Sequence, residues 1–217
     1  MFIGQFDLFY TCEILFYEKV TRQVHILKEC SPLKIRSGLR DDWKACAAAS
    51  YLTDLVNRIS PARAHHPGLY HALDRALDHL ARRGVRPAFL FWFELKLLQI
   101  LGLEPRLAHC AQCNTVCRPF RHTAQFAYGR GGILCAVCAS PDHPYTVPVA
   151  PDVLATLRGL QQARSAQVTI ATHSTPRQLR EMGAILGLFL QHHLEVELKS
   201  RAITLDVLRT DLRRSAN

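Results

Sequence analysis

The spacing of apolar residues changes along this chain, from strand-like at the start to helical over most of its length. Between residues 6 and 16 every even-numbered position is apolar, which is the period of a half-buried strand. A polar turn follows, and VHILKEC at residues 24–30 predicts a second strand that runs back as a hairpin. The first 38 residues supply no third strand, so this part is predicted to be only a fragment of a β-domain.

Helical spacing dominates the remainder of the chain. Residues 87–103 are apolar on nearly every side, which is typical of the central helix of a bundle, and the run is too short and too often interrupted by polar residues to span a membrane. At residues 175–178, TPRQ predicts a capping box with proline at the first helical position. The predicted helices cover residues 39–59, 69–83, 87–103, 151–163 and 175–198.

Five of the eight cysteines lie between residues 110 and 138, and four of them form two CxxC pairs. A CxxC pair fits on one tight turn, and two such turns can supply the four thiolates of a tetrahedral zinc site. FAYGRGGILC at residues 126–135 predicts a strand, a glycine-rich turn and a second strand that delivers the later pair. We therefore predict one structural Zn²⁺ per chain, held by Cys110, Cys113, Cys135 and Cys138.

Other uses of these thiols stay open at this point. A redox CxxC would need one pair near a βαβ unit, a disulfide would need an oxidising compartment, and iron–sulfur clusters usually have tighter or less symmetric spacings. Cys117 is interpreted as a spare thiol, and His109, His122 and His143 are expected on the surface. The scattered cysteines are predicted to be small buried side chains: Cys12, Cys30 and Cys46. After the last pair, Pro141, Pro144 and Pro148 predict a stiff extended connector.

The net charge of +9 suggests a polyanionic partner, although a general preference for arginine codons would explain the same composition. Residues 106–217 hold thirteen Lys and Arg against seven Asp and Glu. Near the cysteines, the candidates for phosphate contacts are Arg118, Arg121 and Arg130. The interleaved aromatic residues either stack on bases or simply pack the small ribbon: Phe120, Phe126 and Tyr128.

The sequence contains no arrangement of residues typical of an enzyme. A metal with four protein ligands has no open position for water, and the motifs HExxH, GxSxG and GxxxxGK[ST] are absent. The first residues also lack the pattern of a secretory signal, so a reducing cytoplasm is the predicted compartment. We expect a protein that acts through contacts, with neither a membrane nor a small-molecule substrate as its partner.

Three phrases, in order along the chain, resemble the RecO family of bacterial recombination mediators. FELKLLQILGLEPRLAHCAQC at residues 93–113 is similar to a helix that ends in LxxLGxxP before a four-cysteine knuckle. GGILCAVCA at residues 131–139 is similar to the second half of that knuckle, and FLQHHLEVELKSR at residues 189–201 resembles a late helix ending in LKSR. The resemblance implies an N-terminal OB-fold, a helical domain and an inserted zinc knuckle in a protein that is not an enzyme.

The expected fold class is mainly α, a helical-bundle domain with an inserted four-cysteine zinc knuckle, preceded by a partial OB-fold remnant. An OB-fold needs about five strands, so residues 1–36 are expected to be only the last part of one, its start being missing or upstream. Residues 37–217 are expected to form the helical domain, with the knuckle at residues 106–147.

The resemblance further implies binding to single- and double-stranded DNA, strand annealing and recombinase loading together with RecR. It also implies contact with the acidic tail of single-stranded DNA-binding protein, and a cytoplasmic, nucleoid-associated location in a bacterium. The arginines that could receive an acidic tail are Arg82, Arg83 and Arg86, or Arg177 and Arg180. The alternative is a zinc-ribbon transcription regulator, which would need a helix that presents base-reading polar residues.

Overall fold

The first strands among the described residues form an antiparallel β-hairpin, as predicted, of β1 (Thr11–Tyr17) and β2 (Ile26–Lys34). The structure is a computed structural model that describes residues 7–19, 24–60, 65–117, 123–140, 143–195 and 197–214. The prediction of a half-buried strand is wrong for β1, because Ile14 and Phe16 on the even-numbered face are 54% and 46% exposed. Leu15 and Tyr17 on the opposite face are exposed as well, so neither face of this part of the hairpin is covered by the described residues.

Eight helices follow among the described residues, and capping side chains explain where two of them begin. Residues 38–59 form two helices, not one, because the Asp42 carboxylate accepts hydrogen bonds from the amides of Lys44 and Ala45 and so caps the second helix. The predicted capping box of Thr175 and Gln178 is present. The helices are α1 (Gly38–Asp41), α2 (Trp43–Ile59), α3 (Pro67–Arg83), α4 (Pro87–Ile100), α5 (Pro151–Gln162), α6 (Val168–Ala171), α7 (Pro176–Leu194) and α8 (Lys199–Arg214).

Helix α4 lies at the centre of the helical domain, as its apolar sequence predicts. It packs against α3, α5, α6 and α7, and nine of its fourteen residues are buried. No helix in the described ranges has both the length and the apolar character needed to cross a bilayer. The apolar side chains of α4 that are at most 3% exposed come from most sides of the helix: Ala88, Phe89, Leu90, Phe91, Phe93, Leu95, Leu97 and Leu98.

The hairpin is attached to α3 by a buried arginine just after β2. Arg36 donates hydrogen bonds to Asp74 at 2.6 Å and Asp78 at 2.7 Å, and also to the carbonyl oxygen of Phe9 at 2.6 Å. Burial alone would raise the pKa of Asp74, but hydrogen bonds from Lys34, Thr11 and Arg36 lower it to about 2. Charged groups therefore fix the hairpin on the helices, at the boundary where the sequence predicts two domains.

The chain between α4 and α5 folds into a three-stranded antiparallel sheet of order β4-β3-β5. A strand, β3 (Ala124–Ala127), a 3₁₀ turn (Tyr128–Arg130) and a second strand, β4 (Gly132–Leu134), follow the predicted pattern. The predicted extended connector is in part a third strand, β5 (Thr146–Val149), which pairs with β3. Its Pro148 is tolerated because β5 is an edge strand. No neighbouring strand on the open side of β5 needs the backbone N–H that proline lacks.

The end of α7 departs from the prediction of one helix to about residue 198. The helix stops at Leu194 because Glu195 adopts a left-handed conformation with φ of 53°, and α8 then returns across α2. The turn brings Arg201 back to the core, where its guanidinium donates to the Glu94 carboxylate at 2.8 and 3.1 Å.

Glu94, Arg201 and Tyr51 form a buried polar cluster that joins four helices. The Tyr51 hydroxyl donates to Glu94 at 2.6 Å, and Arg201 also donates to the Gly183 carbonyl oxygen of α7 at 2.9 Å. Burial raises the pKa of Tyr51 well above its usual value, so the phenol stays a neutral donor. Burial alone would lower the pKa of Arg201, but the Glu94 carboxylate outweighs burial and raises this pKa above its usual value. Gly187 makes room for this guanidinium, since a Cβ there would lie 2.9 Å from Arg201 Nη1.

Replacing Glu94 by Gln is expected to lower the free energy of unfolding by about 3–5 kcal/mol, because it leaves the buried Arg201 charge without a counter-ion. Urea unfolding followed by circular dichroism measures this change. The double variant Glu94→Leu/Arg201→Met should be less destabilised than Glu94→Gln, since it removes both charges together.

The matched control is Arg58→Gln, which breaks the exposed ion pair with Asp54 on α2. A surface pair of this kind contributes about 0.3–0.5 kcal/mol, so this variant should unfold almost as the parent does. Equal effects of Glu94→Gln and Arg58→Gln would contradict the central role of the buried pair.

Candidate metal centre and basic groove

The four predicted cysteines come together between the two halves of the knuckle. The Sγ atoms of Cys110, Cys113, Cys135 and Cys138 all lie within 4.8 Å of one another, and no other residue in the described part of the chain joins this group. Cys113 Sγ and Cys135 Sγ are 3.7 Å apart. Two separate turns thus direct four sulfur atoms at one point, and this cluster could hold a metal ion.

Tight turns set the positions of the sulfur atoms. In the first pair, the amide of Asn114 donates to the Cys110 carbonyl oxygen at 2.9 Å, and Asn114 adopts a left-handed conformation that asparagine tolerates. In the second, the amides of Cys138 and Ala139 donate to the Cys135 carbonyl oxygen at 3.1 and 2.8 Å. The Cys135 amide also donates to Cys110 Sγ at 3.3 Å, which links the two turns.

The protonation chemistry of the cluster favours a bound cation. Burial would raise the pKa of Cys110, but backbone amide hydrogen bonds, first that of Cys113, lower it to about 6. The hydroxyl of Thr115 lowers the pKa of Cys113. Hydrogen bonding to Cys135 and burial raise the pKa of Cys138 to about 12, and repulsion by the nearby Cys110 thiolate raises it as well. A divalent cation would offset this repulsion and allow all four thiols to ionise.

The other cysteine and histidine side chains near the knuckle lie outside the cluster. Cys117 is only 7% exposed, and its thiol donates to the Thr115 carbonyl oxygen, as suits a spare thiol. His109 is exposed and His143 is partly buried, whereas His122 lies outside the described residues. The two pairs face each other beside an antiparallel sheet, not singly near a βαβ unit, so the geometry does not favour a redox CxxC.

Two adjacent glycines are needed where the second cysteine pair approaches the first. Gly131 has a φ of 84°, which disfavours any other residue. At Gly132 a Cβ would lie 2.3 Å from the Arg106 carbonyl oxygen, because the backbones of residues 106 and 132 run side by side. The GG of GGILC is therefore explained by backbone geometry.

The knuckle is fixed to the helical domain by side chains that the sequence analysis did not identify. Arg158 on α5 donates to the carbonyl oxygens of Leu107 at 2.6 Å and Cys117 at 3.1 Å, and Gln161 donates to that of Pro105 at 2.7 Å. On α7, His193 Nε2 lies 2.7 Å from the Tyr128 carbonyl oxygen. These bonds go to main-chain atoms, which no residue pattern in one sequence reveals.

The residues predicted to contact DNA near the knuckle differ in exposure, and some of them lie outside the described residues. Arg130 is exposed on the 3₁₀ turn, whereas Arg118, Arg121 and Phe120 lie outside the described residues. Phe126 is 1% exposed and contacts Phe189 of α7, so it packs the ribbon and offers no stacking surface. The phosphate contacts of these arginines stay a prediction.

A groove of about 620 Å³ lies between α3, α4 and the segment 164–170. Its apolar floor includes Phe89, Trp92 and Ile100, and His79 stacks on Phe89 with ring centroids 4.3 Å apart. Burial and the nearby Arg83 lower the pKa of His79, which favours its neutral form. Around this floor lie five cationic side chains: Arg75, Arg82, Arg83, Lys96 and Arg164. Asp78 also lines the groove, but it is engaged by Arg36 and Lys34.

The structure brings together some of the five arginines predicted to bind a partner and separates others. Arg82 and Arg83 line the groove, and Arg83 also lines a neighbouring cleft of about 510 Å³ together with Arg86 and Lys44. Arg177 forms ion pairs with Asp152 and Glu181, so its charge is already engaged. Arg180 is exposed on α7 and lines neither cavity.

Fold and site together define a mainly helical protein with an inserted four-cysteine knuckle that could hold a metal. Residues 40–202 match the family described as recombination protein O C terminal. The chain belongs to this RecO family.

Individual relatives agree with this assignment. The chain is 37% identical over 163 residues to the DNA repair protein RecO of Anaeromyxobacter sp. (strain K), a match that covers 75% of this chain and 63% of that protein. It is 31% identical over 197 residues to the DNA repair protein RecO of Roseiflexus sp. (strain RS-1), a match that covers 91% of this chain and 68% of that protein. It is 28% identical over 217 residues to the DNA repair protein RecO of Syntrophus aciditrophicus (strain SB), a match that covers 97% of this chain and 81% of that protein. The chain thus spans less than two thirds of the length of the Anaeromyxobacter protein.

The double variant Cys135→Ser/Cys138→Ser is expected to lose its bound metal ion and to unfold at a lower temperature, because site formation is coupled to folding. Elemental analysis of the purified protein and thermal unfolding measure the two effects. The matched control is Cys117→Ser, which removes a buried thiol outside the cluster and should keep one metal ion per chain. Retention of the metal by the double variant, or its loss from the control, would contradict the ligand assignment.

Proposed function

We propose that this chain acts in DNA repair as a recombination mediator that works through binding and not as an enzyme. It would bind single- and double-stranded DNA, promote annealing of complementary strands, and help to load recombinase together with RecR and single-stranded DNA-binding protein. Support comes from membership of the RecO family and from relatives named as DNA repair proteins. The net charge of +9 suits a partner with a phosphate backbone. The proposed location is the bacterial cytoplasm, in association with the nucleoid.

We also propose that the metal is a structural Zn²⁺. Tetrahedral zinc with zinc–sulfur bonds of about 2.3 Å places its sulfur atoms about 3.8 Å apart, close to the 3.7 Å between Cys113 and Cys135. Four thiolates leave the ion no position for water, so its role would be to stabilise the knuckle at residues 106–147. In this proposal residues 1–36 are the last part of an OB-fold and residues 37–217 the helical domain.

The basic groove is the observation that carries the partner assignment. An acidic peptide with an apolar side chain could place that side chain on the groove floor at Trp92 and Ile100 and its carboxylates against the surrounding cations. Arg82 and Arg83 are exposed there, and no ion pair among the described residues engages either one. We propose this groove as the site for the acidic tail of single-stranded DNA-binding protein.

A labelled single strand of mixed sequence should bind this chain with an affinity that falls steeply as salt rises. For single strands, a plot of the logarithm of the association constant against the logarithm of the salt concentration has a slope of about −0.7 for each phosphate that the protein neutralises. Fluorescence anisotropy at several salt concentrations measures this slope, with a duplex of the same sequence and an unrelated sequence for comparison. Absence of binding at low salt would contradict the DNA-binding part of the proposal, and strong sequence selectivity on duplex DNA would favour a transcription regulator.

Replacing Arg82 and Arg83 by Glu is expected to weaken binding of a labelled acidic-tail peptide at least about tenfold, because charge-assisted contacts become repulsive. Isothermal titration calorimetry measures the affinity. Arg180→Glu is the comparison, since it changes an exposed arginine outside the groove and also tests the second predicted site. Unchanged binding in the Arg82→Glu/Arg83→Glu variant would exclude the groove, and loss of binding only in Arg180→Glu would move the site to α7.

A further inference from the structure

Three rings form a partly exposed cluster beside the cysteine knuckle. Tyr128 comes from the 3₁₀ turn, Tyr145 from the residue before β5, and His192 from the last turn of α7. Each ring contacts the other two, with centroids 5.9 Å apart for the two tyrosines and 5.8 and 5.6 Å from each tyrosine to His192. Tyr145 is 58% exposed and His192 is exposed, so the cluster presents ring surface to solvent.

The backbone holds these rings at a conformational cost. Tyr145 has a φ of 61°, a left-handed conformation that is rare for a bulky residue and unfavourable in free energy. Gly129 allows the close approach of this side chain, because a Cβ there would lie 3.0 Å from Tyr145 Cβ. Since most of the Tyr145 side chain stays in water, its burial offsets little of this cost. Strain that persists around an exposed ring points to a binding role.

The rings are supported from below by packed aromatic side chains. His193, next to His192, contacts Phe189 with centroids 4.2 Å apart, and Phe189 contacts the buried Phe126 of β3. The contact between His193 and the Tyr128 carbonyl oxygen ties the 3₁₀ turn to α7. The exposed rings are therefore pre-positioned on a rigid base.

Two exposed arginines lie in the backbone segments beside this cluster. Arg130 ends the 3₁₀ turn that carries Tyr128, and the backbone of Arg106 pairs with Gly132 immediately after that turn. Neither guanidinium has an ion-pair partner among the described residues. Flat rings, with unpaired cations in the neighbouring backbone segments, match the two parts of a nucleotide in a single strand, a base and a phosphate.

We infer that the cluster of Tyr128, Tyr145 and His192 is a stacking platform for an unpaired base of single-stranded DNA, with Arg106 and Arg130 facing the adjoining phosphates. The inference rests on the proposed DNA binding and assigns part of that binding to this surface. Stacking on a ring tolerates any base, so the platform would add affinity without sequence preference. The faces of bases within a duplex are covered by the neighbouring base pairs, so the platform would favour single strands.

Tyr145→Asn separates this role from a structural one, because asparagine accepts the left-handed conformation but has no ring. The full chain carrying this change should keep or raise its melting temperature while its affinity for a mixed-sequence single strand falls about tenfold. Its affinity for the matching duplex and the salt dependence of single-strand binding should stay unchanged, since both arginines that face the phosphates are still present. Tyr145→Phe keeps the ring and should bind as the parent does.

Arg130→Ala tests the phosphate part and should reduce the salt slope by about 0.7, the value for one neutralised phosphate of a single strand. Single-strand binding by Tyr145→Asn equal to that of the parent would overturn the platform and leave the proposed DNA binding intact. Absence of single-strand binding by the parent would overturn both. An equal loss of single-strand and duplex affinity together with a lower melting temperature would assign Tyr145 a structural role and also overturn the platform.

Discussion

The helical fold depends on one buried negative charge. Glu94 lies in the middle of the most apolar helix and is fully buried, so its carboxylate needs a cation in a defined place. Arg201 supplies that cation from α8, over a distance of 107 residues in sequence. The guanidinium in turn needs the Gly183 carbonyl oxygen and the space left by Gly187, both on α7. The relative positions of α4, α7 and α8 follow from this one requirement.

Apolar faces alone would leave the register of these helices loosely defined, because leucine side chains on neighbouring helices can interdigitate in more than one way. A buried ion pair is satisfied in only one arrangement, and smaller polar contacts agree with it. Ser200 donates to Asp54 at 2.6 Å, and Thr204 donates to the Ala47 carbonyl oxygen at 3.2 Å, both across the contact of α8 with α2. We infer that these groups select one packing of α8 among several that hydrophobic burial would accept.

The sequence allowed most of the local structure to be predicted and little of the convergence between distant segments. The hairpin, the central helix and the capping box follow from spacing within a few residues, and so does the cysteine cluster, because two CxxC turns already contain the geometry of four ligands. Glu94 and Arg201 each lie within a phrase that supports the family resemblance, yet nothing in one sequence pairs them. The left-handed turn was missed because its residue, Glu195, is not glycine. The groove was only partly predicted, since Arg75, Lys96 and Arg164 reach it from three separate segments.

A protein that acts by contact needs surfaces that are already in position, because ordering them on binding would reduce affinity. Both candidate surfaces are continuous with the core. Phe89 forms part of the groove floor and is a fully buried residue of α4, the helix that carries Glu94. Phe189 supports the exposed rings and lies on α7, the helix whose carbonyl oxygen holds Arg201. The buried ion pair therefore fixes α4 and α7, each of which contributes to one of the two surfaces, and so links a fully buried charge to the surfaces that we propose for partner binding.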